Sequence, residues 1–160
     1  MFFPMQTQEQ TDWCWNAVAV SVEHYVSPNS TLTQEEFAVE DLGVSLALTN
    51  RPASLSQALQ TLKRLSRSLQ GPLSFNDIQK QLDAGLPVCV QIDWNEGGAH
   101  FVAITGYQHS PAGDPQVFIS DPLYDSSNLT LWDYEAFVYA YGPDYTNAEG
   151  AWARTDLVQP

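Results

Sequence analysis

The 160-residue chain is predicted to be an α+β protein, a helical half over about residues 1–85 packed on an antiparallel sheet over about 86–160, with a cleft between them. Three observations predict this. Capped segments of helical spacing fill the first half, and the apolar period changes to two after Pro87. Hydrophobic residues make up 44% and aromatics 12% of the chain, enough to bury one core without metals or disulfides. A single domain spanning 1–160 is the expectation.

The first helix should start after Thr11-Asp12, two good caps, and run from Trp13-Cys14-Trp15 through Val22 towards Ser27-Pro28. Thr33-x-x-Glu36 is a capping box that predicts a second helix. Ser54-Leu55-Ser56 followed by Leu59, Leu62, Leu65 and Leu69 predicts a third, closed by Gly71-Pro72, with Lys63, Arg64 and Arg67 on one face. Ser74-x-x-Asp77 opens a fourth, which Gly85 stops as a left-handed residue. Val88, Val90 and Ile92 then alternate with Cys89, Gln91 and Asp93 to give the first strand. His100 to Gly106 and Val117 to Asp121 give two more. Leu129 to Leu131 is a short strand, Tyr134 to Tyr139 a brief helix, and Ala151 to Thr155 the last strand.

Six Lys plus Arg against nineteen Asp plus Glu give a formal net charge of -13, which repels phosphate backbones and anionic lipid at long range. A nucleic-acid partner is thereby disfavoured. No stretch approaches the roughly 18 apolar residues of a membrane span, and the N-terminus lacks the basic and long apolar regions of a secretory signal. Membrane insertion is not expected. Two cysteines, Cys14 and Cys89, form neither a disulfide framework nor a metal-ligand pattern.

Chemistry concentrates at a few positions. A thiol is a strong nucleophile only as its thiolate, which the positive end of a helix favours, and Cys14 sits in a first helical turn. Six positions earlier, Gln8 carries an amide able to donate to a developing oxyanion beside the Cys14 backbone N–H. His100 opens an apolar strand after Gly97-Gly98-Ala99. Asp121 ends a strand before Pro122, placed to accept from a ring nitrogen, with Asn128, Asp125 and Asp114 as substitutes. Each has a plain structural explanation: a buried cysteine, a loop glutamine, a core histidine, an Asp-Pro turn. Together they occur in the order that one mechanism requires: oxyanion donor, nucleophile, base, orienter.

Through the segments 8–15, 98–107 and Ser120-Asp121-Pro122, the chain resembles papain-like cysteine peptidases. It is most similar to compact bacterial members, including effector proteases and the leader-processing domains of bacteriocin exporters, and the likeness extends over residues 73–94. The resemblance implies Gln8 as oxyanion glutamine, Cys14 as nucleophile, His100 as general base and acid, and Asp121 as orienter. It implies a peptide or protein substrate and no cofactor. Only seven residues precede Gln8, so control of activity is expected to lie in a removed segment, a partner or secretion. Both the bacterial cytosol and export as an effector suit such a protein.

Two other functions use the same residues. An acyltransferase, transglutaminase-like protein or deamidase keeps the triad but passes the acyl group elsewhere, and a binding module holds peptide without cleaving it. Relatives of the second kind usually lose the cysteine. Cys89, inside an apolar strand, is read as structural, and Trp94, Trp132 and Tyr124 as candidates to line the cleft.

Overall fold

The computed structural model describes residues 2–123, 129–142 and 148–160. The chain runs through α1 (Cys14–Val26), α2 (Gln34–Leu42), a 3₁₀ turn at Leu46–Leu48, α3 (Leu55–Thr61), β1 (Leu65–Gln70), α4 (Phe75–Asp83), β2 (Val88–Trp94), β3 (Ala99–His109), β4 (Pro115–Ser120), β5 (Leu129–Asp133), α5 (Tyr134–Tyr139) and β6 (Gly150–Val158). The strands form one six-stranded sheet, ordered β1-β6-β2-β3-β4-β5, with every neighbouring pair antiparallel. The α+β class is as the sequence indicates.

Both faces of the sheet are covered. On one, α1, α2 and α3 pack with Cys89, Phe101 and Ala103. On the other, Ile78 and Leu82 of α4 and Phe137 of α5 meet Val88, Val90, Ile92, Val102 and Ile104. The alternation read from β2 therefore separates two apolar cores, and Cys89 points to the opposite side from Val88 and Val90. Cys89 is fully buried and, like Cys14, a free thiol.

Helix α1 is the spine of the first core, buried from Cys14 through Val22. Its start is fixed by Trp13 and Trp15, both fully buried, whose indole N–H groups donate to the carbonyls of Thr49 at 2.9 Å and Arg51 at 3.1 Å. Truncating either ring would cost about 3–5 kcal/mol. Thr33 and Glu36 complete their capping box. Gly85, at φ +80°, turns the chain out of α4 in the left-handed conformation that glycine adopts without strain.

Two expectations need correcting. The third helix stops at Thr61, and Leu65–Gln70 is the edge strand β1, paired with β6. The spacing of Leu62, Leu65 and Leu69 mimics a helix. Ser66 and Ser68 add little helix propensity, and the unpaired edge of β6 supplies the ladder that decides the conformation. Lys63 takes φ +60° in the connecting turn. The three basic residues consequently share no helix face: Arg64 folds back to Glu23 at 2.7 Å and to the Ser27 hydroxyl at 2.7 Å, while Arg67 lies in β1. The second correction is the cap of α1, which is Trp13 without any side-chain hydrogen bond. Asp12 instead uses its backbone N–H on Asn50 Oδ1 at 3.0 Å, so the helix start is left open.

Candidate active site

The uncapped start of α1 faces the end of the sheet across a cleft of about 940 Å³, whose lining includes Gln8, Cys14, Trp94 and His100. Each comes from a different segment of the chain. Cys14 is the first residue of α1, where backbone N–H groups lack intrahelical acceptors. His100 is the second residue of β3, and Asp121 follows directly on β4. The β3–β4 pairing, with Ala103 opposite Ser120, brings the last two together.

His100 is 3% exposed and Asp121 wholly buried. Nε2 of His100 lies 2.9 Å from Asp121 Oδ1, and an ionised carboxylate only accepts, so Nε2 carries the proton. That leaves Nδ1 as the nitrogen open to the Cys14 thiol, with which His100 shares a hydrogen bond. Burial opposes charge on the imidazole, yet the Asp121 carboxylate, helped by Cys14, outweighs it and holds the His100 proton well above the ordinary imidazole range. Burial likewise pushes Asp121 upward. The His100 charge, the Leu123 N–H at 2.9 Å and the Tyr141 hydroxyl at 2.7 Å more than reverse that and keep the carboxyl below its usual value.

Trp94 stacks on the imidazole with ring centres 5.8 Å apart and planes 14° from parallel, and on Tyr141 at 6.3 Å. It is the one cleft candidate that the described residues place here. Trp132 packs instead on Tyr141 within the second core, and Tyr124 lies outside the described residues. Gly150 makes room for the indole: a Cβ there would come within 2.5 Å of Ile92 Cγ2 and 2.8 Å of Trp94. Gly150 also exchanges backbone hydrogen bonds with Tyr141, both at 2.9 Å.

Gln8 borders the cleft, and its backbone N–H donates to the Pro122 carbonyl at 2.8 Å, tying it to the residue after Asp121. Its Nε2 donates to the carbonyls of Gln10 and Thr11, both at 2.8 Å. Those two acceptors fix which end of the amide is nitrogen. Its Oε1 is buried without a hydrogen-bond partner. Of the substitutes for Asp121, Asp114 sits in an exposed turn bonded to Ser110, while Asp125 and Asn128 lie outside the described residues.

Sequence reasoning missed Tyr141. Tyr141 carries no motif, and only the folded chain brings its hydroxyl to Asp121. Among the described residues no cluster of His, Cys, Asp and Glu gathers that could hold a metal ion, and no helix is long and apolar enough to cross a membrane.

Cys14 at an uncapped helix start and His100, backed by the buried Asp121 carboxylate, thus border one cleft in an α+β fold. The model of the Peptidase_C39 like family matches residues 2–154, and the chain belongs to that family. A peptide is the substrate that membership implies. No curated protein matches the chain.

Proposed function

We propose that the protein hydrolyses peptide bonds through a thioester on Cys14, the whole chain acting as one catalytic unit of the compact bacterial papain-like type. The observation that carries this reading is the buried 2.9 Å bond from His100 Nε2 to Asp121, which supports a ring orientation that leaves the other nitrogen for Cys14.

The Cys14 proton rests on His100 Nδ1 before attack, as a thiolate–imidazolium pair that the raised proton affinity of His100 favours, and the sulfur attacks the scissile carbonyl carbon. The carbonyl oxygen becomes an oxyanion. Its donors are the Cys14 backbone N–H and the Gln8 amide, where a charged acceptor outcompetes one of the two neutral carbonyls that hold Nε2. The imidazolium then protonates the leaving amine as the C–N bond breaks. Water, deprotonated by His100, attacks the thioester, and the thiol and the new carboxylate are released. Asp121 fixes the tautomer and stabilises the imidazolium without itself taking a proton. Trp94 covers the imidazole and limits its solvation.

The test is intact-mass analysis of a mixed peptide library after incubation with the protein. Pairs of fragments summing to substrate plus one water are expected from the wild type and absent with Cys14→Ala. Release of ammonia with uptake of one water and no chain cleavage would mark a deamidase, and mass gain on an added amine an acyltransferase. No covalent change with either protein would leave a peptide-binding module and contradict the proposal.

A further inference from the structure

The segment that carries Gln8 is neither helix nor strand, so something other than a ladder must hold it to the precision an oxyanion donor needs. The hydrogen bonds on its two sides converge on a single side chain. Gln34, first residue of α2 and 1% exposed, donates through Nε2 to the Thr7 carbonyl at 2.9 Å. Its Oε1 accepts from the Glu9 N–H at 3.2 Å. These are the residues immediately before and after Gln8.

The clamp is braced. Nε2 of Gln34 also donates to Gln6 Oε1 at 3.1 Å, and Gln6 Nε2 meets His24 Nδ1 at 3.3 Å. The backbone carbonyl of Gln34 accepts from Asn16 Nδ2 at 2.8 Å, and Asn16, fully buried in α1, lies two residues past Cys14. One residue thus connects the nucleophile's helix to both flanks of the glutamine beside it. All of these groups lie in the interior or at its edge, where a bond lost is not replaced by water without cost.

We propose that Gln34 is a positioning residue for the oxyanion glutamine: it sets the distance between the Gln8 amide and the Cys14 N–H without touching substrate. The inference rests on the peptidase reading above and on Gln8 as the donor. No other common side chain reproduces the clamp, because it must donate to the Thr7 carbonyl while accepting from the Glu9 N–H one peptide further on. Methionine matches the shape and makes neither bond. A carboxylate accepts from Glu9 but opposes the Thr7 carbonyl and Gln6 Oε1; once protonated it can both donate and accept.

The experiment is a double-mutant cycle with Gln8→Ala and Gln34→Met, measuring kcat and KM on the best-cleaved peptide of the library, with thermal melts as the check on folding. Gln34→Met should lower kcat about 10-fold, with KM changed less than about 2-fold. In the Gln8→Ala background, itself down about 10²-fold, it should cost less than about 2-fold more. Gln34→Glu gives a second arm that does not depend on Gln34→Met being folded. Its kcat, relative to wild type at each pH, should recover as pH falls through the carboxylate range. Equal losses from Gln34→Met in both backgrounds, or a flat relative pH profile for Gln34→Glu, would overturn the inference and leave the peptidase reading standing. A Gln8→Ala enzyme with unchanged kcat would remove Gln8 from the mechanism and the clamp with it. Absence of cleavage by the wild type would refute the peptidase reading itself.

Discussion

The two walls of the cleft are built differently. On the sheet wall, His100 and Asp121 are buried, and Asp121 receives the imidazole N–H, the Leu123 N–H and the Tyr141 hydroxyl. On the helix wall, Cys14 stands at an uncapped helix start and Gln8 on an irregular segment, its Nε2 bonded only to nearby carbonyls. The sheet wall is thus a satisfied polar cluster in which every bond supports another. The helix wall keeps donors in reserve. Stability and activity should therefore be coupled on the first wall and separable on the second.

The largest effects fall on the sheet wall and test that coupling. His100→Ala should lower kcat/KM by about 10³-fold or more by removing the base. Asp121→Ala should cost less activity, about 10²-fold, because the base remains though poorly oriented. Its stability loss should be the greater, about 3 kcal/mol, since two buried donors, on His100 and Tyr141, and the partly buried Leu123 N–H lose their acceptor. Cys14→Ala, on the other wall, should abolish turnover while changing stability by about 1 kcal/mol or less. Urea melts alongside kinetics measure all three, and a strongly destabilised Cys14→Ala would break the comparison.

Much of this contrast was legible in the sequence, for reasons that differ by element. Cys14, His100 and Asp121 each end or begin a periodic segment, so the period located them and their order suggested their grouping. The strands β2, β3 and β4 were readable because their apolar residues repeat over five or more positions. β1 was not, because an edge strand with polar faces has no period of its own and takes its conformation from β6. The cap of α1 was misread because Thr11 and Asp12 suit a cap locally, whereas Asn50, 38 positions from Asp12, decides where they bond. Tyr141 and Gln34 act entirely through such distant contacts. Local chemistry could not announce them.

A smaller effect should come from Gly150, which carries no reacting group but gives Trp94 its place against His100. Gly150→Ala forces a methyl into space already held by Ile92 and Trp94, and should cost about 1–3 kcal/mol by overpacking. Displacing the indole should lower kcat as well, which a purely structural glycine would not do. Thermal melts, tryptophan emission and kinetics would separate the two consequences.

The mildest signature is in the pH dependence of stability. His100 holds its proton above the ordinary value of 6.5, so its contribution is complete below about that pH and fades as pH rises through the higher folded value. Asp121 is held below its ordinary 3.8, so its contribution is complete above about that pH and fades as pH falls through the lower folded value. The pair should stabilise fully only between those limits. Wild-type melting temperature should therefore fall on the alkaline side relative to Asp121→Asn, in which His100 loses its charged partner. Parallel profiles for the two proteins would deny the pair its charge.

The central claim, that His100 activates Cys14 and only Cys14, is tested most directly by limiting iodoacetamide near pH ~6, with peptide mapping and residual activity followed together. Cys89 is a built-in control, because burial and then the neighbouring Asp156 charge push its thiol far up from the ordinary range. Alkylation of Cys14 should proceed first and in step with inactivation, should slow in His100→Ala, and should leave Cys89 untouched until denaturant is added. Cys89 modified first, both thiols modified at equal rates, or Cys14 labelling indifferent to His100 would contradict the account.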